Sequence, residues 1–267
     1  MRSVSGRPGN GPGPYRYAAK RQQAILAALR ATGQVNAADL AAEFGVTAET
    51  LRKDLIVLER QGLLRRVHGG ALPVDDLTFE PDVAARTEYA EEKSRIARAA
   101  LAHLERAGSV FLDAGSTTSR LAELLPADRE LTVFTNTLTI ALTVVAKPNV
   151  TVYTLGGRVR GPTLAEVDTW AARALREINV DIAFLGTNGI SLTRGLTTPD
   201  PAEAAIKRLM LECARRTVLL ADHSKVGMVS LCQHGALADV DVLITDTGLP
   251  GPDLAALRSA GLTVEQA

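Results

Sequence analysis

The 25 residues from 47 to 71, TAETLRKDLIVLERQGLLRRVHGGA, restrict the possible folds of this chain more than any other stretch. Leu51, Leu55 and Leu58 recur at helical spacing and predict the buried stripe of one helix. Gly62 is placed to end that helix, and a basic run with a His-Gly-Gly turn follows it. A helix followed by a basic hairpin is typical of a winged helix-turn-helix, whose helix enters the major groove of DNA.

Residues upstream of this stretch predict two further helices. The segment 35–46 predicts a short helix with Leu40 and Phe44 facing inward, and Gly45 lies where a helix-turn-helix needs a left-handed residue. The segment 21–30 predicts a supporting helix. The predicted DNA contacts are Thr47, Thr50, Arg52, Lys53, Arg65, Arg66, His68 and Gly69.

Charge is distributed unevenly along the chain. Residues 1–72 contain 11 Lys and Arg against 5 Asp and Glu, a net charge of +6, and the remainder carries −6. The basic end is therefore the candidate for DNA binding, with a strong dependence on salt. The alternative is an amphipathic helix whose charged face only contacts water.

Composition predicts a folded, cytoplasmic protein. Hydrophobic residues make up 46% of the 267 residues, and no apolar run approaches the about 18 residues that span a membrane. Cys213 and Cys232 lack metal-ligand spacing and are interpreted as free thiols in a reducing compartment. No signal-like leader is recognised. The predicted organisation is a disordered tail over 1–17, a winged helix-turn-helix over 18–73, a linker over 74–87 and an α/β domain over 88–267.

Strand and helix patterns alternate after residue 109. The predicted strands are Val110–Asp113, Leu131–Thr135, Val150–Leu155, Ile182–Gly186, Val218–Asp222, Val242–Thr245 and Leu262–Val264. The predicted helices are 88–106, 117–125, 137–146, 166–177, 201–215 and 252–260. This alternation predicts a mostly parallel sheet with helices on both faces, and such sheets bind ligands at the carboxyl ends of their strands.

The end of the first of these strands has the composition of a phosphate cradle. Asp113 is followed by Gly115, which allows a tight turn, and by Ser116, Thr117 and Thr118, which place hydroxyl and N–H groups at a helix start. No Gly-Lys-Ser/Thr follows, so nucleotide triphosphate hydrolysis is not expected. The simpler alternative is an ordinary helix cap beside a glycine.

The other strand ends carry polar residues and cations suited to a small, phosphorylated, hydroxyl-rich ligand. They include the segments Thr-Asn-Thr at 135–137, Gly-Gly-Arg at 156–158, Gly-Thr-Asn-Gly-Ile at 186–190 and Asp-His-Ser-Lys at 222–225. Glu203 and Lys207 lie four residues apart on a predicted helix. They could equally be a surface ion pair.

Taken in order, these motifs resemble the DeoR family of bacterial transcriptional regulators over about residues 18–247. The resemblance implies a domain related to ribose-5-phosphate isomerase, with a phosphorylated sugar as effector. Its matching positions are Asp113, Gly115, Ser116, Thr117, Asn136, Gly157, Asn188, Gly189, Glu203, Lys207, Asp222 and Lys225. The chain departs from the family pattern at Lys53, usually arginine, at Thr187, more often small and apolar, and at Val226, often aromatic.

The resulting hypothesis is a DNA-binding regulator, usually a repressor in this family, of carbohydrate metabolism. Its expected partners are double-stranded operator DNA, a phosphorylated sugar and further copies of the chain in a homodimer or homotetramer. No catalytic residue, metal site or cofactor is predicted. Two alternatives stay open: a sugar-phosphate isomerase with a DNA-binding appendage, and an effector domain that serves only to oligomerise.

Overall fold

The computed structural model describes residues 17–60, 63–67, 69–73, 77–78, 80 and 82–267. The chain divides into two compact units, Met1–Phe79 and Glu80–Ala267. The second unit therefore already includes part of the predicted linker over 74–87. The predicted tail, except for Tyr17, and the predicted positions of Gly62 and His68 lie outside the described residues.

The first unit contains three helices and a small antiparallel sheet. Its elements are α1 (Ala18–Thr32), β1 (Val35–Asn36), α2 (Ala37–Phe44), α3 (Ala48–Arg60), β2 (Arg65–Val67) and β3 (Gly70–Leu72), with strand order β1-β3-β2. The three predicted helices are present. The helix predicted over 35–46 begins two residues late because Val35 and Asn36 pair with β3, and the Asn36 side chain then accepts the N–H groups of Ala38 and Asp39.

The turn between α2 and α3 has the predicted left-handed residue, since Gly45 has a φ of 65°. The apolar stripe of α3 is buried against α1 and α2 through Ile25, Phe44 and Leu51. A buried ion pair also joins α1 to α3, because Nε of Arg21 donates to Asp54 at 2.7 Å.

The second unit is built on seven parallel strands. In chain order they are β4 (Ser109–Leu112), β5 (Leu131–Thr135), β6 (Val150–Thr154), β9 (Ile182–Leu185), β12 (Thr217–Leu220), β14 (Val242–Thr245) and β15 (Thr263–Gln266). Their order across the sheet is β15-β14-β12-β9-β4-β5-β6, and all neighbours are parallel. Each corresponds to one of the predicted strands, so the predicted parallel α/β architecture is confirmed.

Helices cover both faces of this sheet, and each face has its own core. The helices are α4 (Ala90–Ala100), α5 (Ser116–Leu124), α6 (Leu138–Val144), α7 (Asp168–Arg176), α8 (Pro201–Cys213) and α9 (Gly251–Ser259). One core contains Ile96, Leu121 and Ile140 of α4 to α6, and the other contains residues of α7 to α9. Alternate strand residues enter opposite cores, which explains the almost continuous apolar runs in the sequence.

Several details of this unit differ from the sequence prediction. The helix predicted over 88–106 ends at Ala100 and continues as a 3₁₀ turn over Leu101–Leu104. Two unpredicted groups of short strands also form. They are the hairpin of β7 (Arg158–Val159) and β8 (Glu166–Val167), and the sheet of β10 (Gly189–Ser191), β11 (Gly195–Thr198) and β13 (Cys232–Gly235). The helix predicted from 166 therefore begins at Asp168.

Candidate functional site

Helix α3 of the first unit presents the predicted DNA-contacting side chains. Thr47 caps this helix, because its Oγ1 accepts the backbone N–H of Thr50 at 3.1 Å and lies 2.8 Å from the Thr50 hydroxyl. Arg52 and Lys53 are exposed on the face opposite the buried leucines. The helix therefore offers two cations to an anionic partner, while the threonine hydroxyls already serve its first turn.

The β2–β3 hairpin is the wing predicted from the sequence. Gly69 has a φ of 80°, and a Cβ on Gly70 would lie 2.0 Å from the carbonyl oxygen of Val35, so the turn needs both glycines. Arg66 is tied to helix α3, since its backbone N–H and its Nε donate to Glu59 at 2.9 and 2.5 Å. These bonds lower the pKa of Glu59.

The carboxyl ends of the parallel strands bring Asp113 and Lys207 into contact. Asp113 follows β4, and its Oδ2 accepts the N–H of Gly186 at 2.9 Å and forms an ion pair with Lys207 of α8. Lys207 also donates to the carbonyl oxygen of Gly186 at 3.0 Å. Glu203 and Lys207 are both buried, so the alternative of a surface ion pair between them does not hold.

The second carboxylate oxygen of Asp113 is unusual. Asp113 Oδ1 is buried and has no hydrogen-bond partner among the residues that the structure describes. A buried acceptor without a donor is energetically costly, so such atoms commonly meet a water molecule or a ligand. This oxygen is therefore available to a donor such as a ligand hydroxyl.

Helix α5 begins at Ser116, three residues after Asp113, where the sequence predicted a phosphate cradle. The hydroxyls of Thr118 and Ser119 donate to the carbonyl oxygen of Gly115, at 3.0 and 2.8 Å, so they belong to the helix itself. The hydroxyl groups of Ser116 and Thr117 form no hydrogen bond with any described residue. The free N–H groups of the first turn and these two hydroxyls suit an anion.

Two predicted asparagines hold the strand ends in place. The Oδ1 atom of Asn136, which is buried, accepts the N–H of Ala114 at 2.9 Å. Asn188 accepts the hydroxyl of Thr198 at 3.0 Å. Each amide still has its NH₂ group, which is a possible donor to a bound molecule.

Glu203 lies in an unpredicted cluster of charges. Its carboxylate is buried and bonded to the Thr163 hydroxyl and to the guanidinium of Arg160. Arg160 also contacts Glu80 at 2.8 Å and Asp200 at 3.2 Å. Burial, followed by the charge of Glu80, raises the pKa of Glu203.

Asp222 and Lys225 follow strand β12. Asp222 is buried and caps the short turn after it, because its Oδ1 accepts the N–H of Ser224 at 3.1 Å. The unpredicted Lys93 of α4 interacts electrostatically with both residues. Burial lowers the pKa of Lys93 to about 8, and its ammonium donates to the carbonyl oxygen of Arg86 at 3.1 Å.

Packing explains two of the predicted glycines. Gly157 has a φ of 106°, and a Cβ there would lie 2.8 Å from the carbonyl oxygen of Val167. A Cβ on Gly189 would lie 2.4 Å from the carbonyl oxygen of Met228. These contacts account for glycine at both positions without a ligand.

Two of the three departures from the family pattern, Thr187 and Val226, lie in the second unit. The Thr187 hydroxyl lies 3.0 Å from the carbonyl oxygens of Gly189 and Thr197 and 3.1 Å from Nε2 of His234. Burial, together with nearby positive charge, lowers the pKa of that imidazole. Val226 is half-buried against the core beneath it.

Four charged residues of this unit were not predicted from the sequence: Lys93, Arg160, Glu80 and Glu166. Glu166 accepts the N–H groups of Leu155 and Gly156 at 2.7 and 2.8 Å, which orders the end of β6. One signal was present: Lys93 occupies the apolar stripe of α4, where a charged residue is out of place. The others carry no local signal, because their partners are distant in the chain.

Neither a metal-binding cluster nor a membrane-spanning helix occurs in the described part of the chain. No group of three or more His, Cys, Asp or Glu residues there could hold a metal ion. None of the helices within it is long and apolar enough to cross a bilayer.

Comparisons with known proteins cover most of the chain. Residues 21–76 match the DeoR-like helix-turn-helix domain, and residues 88–247 match the DeoR C terminal sensor domain. The HTH-type transcriptional regulator GlpR of Haloferax volcanii is 36% identical over 92% of this chain and 96% of its own length. The transcriptional repressor AccR of Agrobacterium fabrum is 34% identical over 85% of this chain and 89% of its own length.

Among solved structures, ribose 5-phosphate isomerase A of Methanocaldococcus jannaschii is similar over 51% of this chain and 54% of its own, with 18% identity and a TM-score of 0.38. That likeness is too distant to support an enzymatic activity. The curated relatives are instead named as regulators, and they match both units. The chain therefore belongs to the DeoR family of DNA-binding transcriptional regulators.

Proposed function

We propose that this regulator represses genes of carbohydrate metabolism and that a phosphorylated sugar, bound at the strand ends of the second unit, controls its affinity for operator DNA. DNA binding is assigned to residues 18–73 and effector binding to 88–267, with 74–87 as the link. The orphaned Oδ1 of Asp113 is the observation that carries the effector proposal.

Asp113 explains why the ligand would carry hydroxyl groups. Its Oδ2 is already bonded to Lys207 and to the N–H of Gly186, so the carboxylate is held in one orientation in which no described residue bonds Oδ1. A sugar hydroxyl donated to this oxygen would remove the cost of burying it. Binding would then favour sugars over simple phosphate.

The start of α5 explains why the ligand would carry an anion. The first-turn N–H groups and the hydroxyls of Ser116 and Thr117 follow Asp113 directly in the chain. A phosphoryl group accepts several hydrogen bonds and is favoured at the positive end of a helix dipole. Lys225 and Lys93 supply further positive charge near the end of β12.

A thermal-shift screen tests this proposal. The full chain is heated with phosphorylated sugars and polyols and with their unphosphorylated counterparts. A ligand at about 100 times its dissociation constant adds roughly 2.7 kcal/mol to the free energy of unfolding. We expect hits that require the phosphate and that Ser116→Ala weakens. Ser119→Ala is the matched control, since its hydroxyl only serves the helix.

The proposed assembly is a homodimer or homotetramer located in the cytoplasm. An apolar stripe on α6 and its C-cap supports self-association: Leu138, Leu142 and the cap residue Val145 are 40%, 75% and 62% exposed and recur at helical spacing. Sedimentation analysis of Leu142→Glu tests this, with a smaller assembly than the wild type expected. An unchanged assembly would exclude this face.

A further inference from the structure

Arg160 joins three carboxylates that belong to two separate parts of the second unit. Its guanidinium contacts Glu80 at 2.8 Å and Asp200 at 3.2 Å. Its Nη1 atom also forms an ion pair with Glu203. Glu80 also accepts Nη2 of Arg86 at 2.8 Å. The side chains of Glu80 and Arg160 are 4% and 11% exposed, so water screens these charges weakly.

Two of the three carboxylates are fixed to helix α8. Asp200 caps this helix, because its Oδ1 accepts the N–H groups of Ala202 and Glu203 at 2.9 Å. Glu203 lies in the first turn and is also bonded to Thr163. Asp200 is thus held by its cap bonds, and Glu203 by its place in the helix and by Thr163.

Glu80 is held differently, because it lies in irregular chain at the beginning of the second unit. The segment after Glu80 is attached to the β7–β8 hairpin loop, which also contains Arg160. The N–H of Val83 donates to the carbonyl oxygen of Pro162 in this loop at 2.6 Å. Before Glu80, the chain continues into the unit that contains α3. Glu80 thus connects the chain leading to the DNA-binding unit with the residues around Glu203.

The net negative charge of this cluster disfavours the binding of another anion. Three carboxylates surround Arg160 and Arg86, so the cluster carries one excess negative charge if every group is ionised. Burial is the first cause of the raised pKa of Glu203, and the charge of Glu80 adds to it. A phosphoryl group that approached Arg160 would have to replace one of the carboxylates, and Glu80 is the one that belongs neither to a helix nor to a helix cap.

We propose that Arg160 is a further anion-binding residue of the effector site and that an anionic effector displaces Glu80 from it. This inference rests on the proposed function, because it needs an anion at the strand ends. Displacement removes the charged contact between the segment 80–87 and the hairpin loop, and the loosened segment transmits binding to the DNA-binding unit through the chain. By linkage, the Glu80–Arg160 contact and the anion each weaken the other by the same factor.

Trypsin cleavage after Arg86 measures this release in the full chain, with inorganic phosphate as the probe. The backbone carbonyl of Arg86 is bonded to Lys93 and its side chain to Glu80, so cleavage requires the segment to open. We expect phosphate to accelerate cleavage of the wild type at this bond by about 5-fold or more. Sodium chloride at equal ionic strength has no such effect.

Glu80→Gln removes the charge and keeps the shape of the side chain. This variant is expected to be cleaved rapidly without phosphate, to gain little from its addition, and to bind phosphate about 5- to 150-fold more tightly in calorimetry. Asp82→Asn is the matched control, since it removes the same charge from an exposed position two residues away. It is expected to behave as the wild type.

Two results would overturn the inference in distinguishable ways. If phosphate binds the wild type and Glu80→Gln with equal affinity and cleavage after Arg86 is unchanged, Glu80 is not displaced, while the effector site itself stands. If phosphate and phosphorylated sugars fail to bind the wild type at all, the proposed function is wrong and this inference falls with it.

Discussion

Lys207 of helix α8 forms a buried ion pair with Asp113, 94 residues earlier in the chain, and so fixes the helix to the end of strand β4. The two side chains are only 5% and 1% exposed. A charge pair buried this deeply is costly to break, because removal of one partner leaves the other charge without compensation.

We therefore expect Lys207→Met to lower the free energy of unfolding by about 3–5 kcal/mol. Urea denaturation of the full chain measures this loss. The double variant Lys207→Met/Asp113→Asn should be more stable than the single variant, because no uncompensated carboxylate is left. The assigned pair would be contradicted if the free energy of unfolding of the single variant lay within about 1 kcal/mol of the wild-type value.

Arg52→Ala and Lys53→Ala should both weaken operator binding without changing the thermal unfolding of the second unit. Anisotropy titrations on selected operator DNA and on random DNA separate the two kinds of contact. Loss of a phosphate contact lowers both affinities and reduces the salt slope by about 0.9, whereas loss of a base contact costs about 1–3 kcal/mol on the operator alone.

The matched control for these variants is Lys20→Ala, which removes an exposed cation from α1 of the same unit. Its operator affinity should remain close to that of the wild type. Wild-type affinity in both α3 variants would remove α3 as the recognition helix.

Gly189→Ala tests the packing explanation for that glycine. The new Cβ would lie 2.4 Å from the carbonyl oxygen of Met228 and 2.7 Å from the Thr197 hydroxyl. Overpacking of this kind costs about 1–3 kcal/mol. Gly161→Ala meets no atom within 4 Å, so it should change stability by less than about 0.5 kcal/mol. Equal stabilities of the two variants in urea would disprove the steric argument.

Lys93 predicts a pH dependence. Burial lowers its folded pKa from 10.5 to about 8, so between these values the unfolded chain binds more protons than the folded chain. Stability contributed through this group therefore rises as pH increases through that window, by about 2–3 kcal/mol. Urea denaturation of the wild type and of Lys93→Met isolates this contribution. From pH 7.5 to 10.5, the free energy of unfolding of the wild type should increase relative to that of the variant. Parallel pH profiles would contradict this.

The sequence predicted the seven parallel strands because each is a short apolar run between turn residues, and burial on both faces requires such runs. Shorter elements escaped prediction. Strands β7 and β8 have two residues each, and Arg158 and Val159 are exposed, so neither length nor alternation identifies them. The end of α4 was missed because its apolar stripe continues through the 3₁₀ turn to Leu104.

The positions of candidate-site residues were predictable where polar residues follow a strand closely, as for Asp113 and the start of α5. Site residues were not predictable where contacts between distant parts of the chain bring them together. Arg160 lies 43 residues from Glu203 and 80 from Glu80, and no local pattern marks it. Gly157 and Gly189 show the opposite case, in which glycines match a ligand motif and packing alone explains them.

The most direct test of the effector claim is the operator affinity of the full chain at increasing concentrations of a phosphorylated sugar taken from the thermal screen. For the wild type, we expect saturation to change the dissociation constant for operator DNA by about 5- to 150-fold. Thr117→Val should require much more ligand for the same change, and Ser119→Ala should not. An operator affinity that is the same with and without saturating ligand would contradict the account.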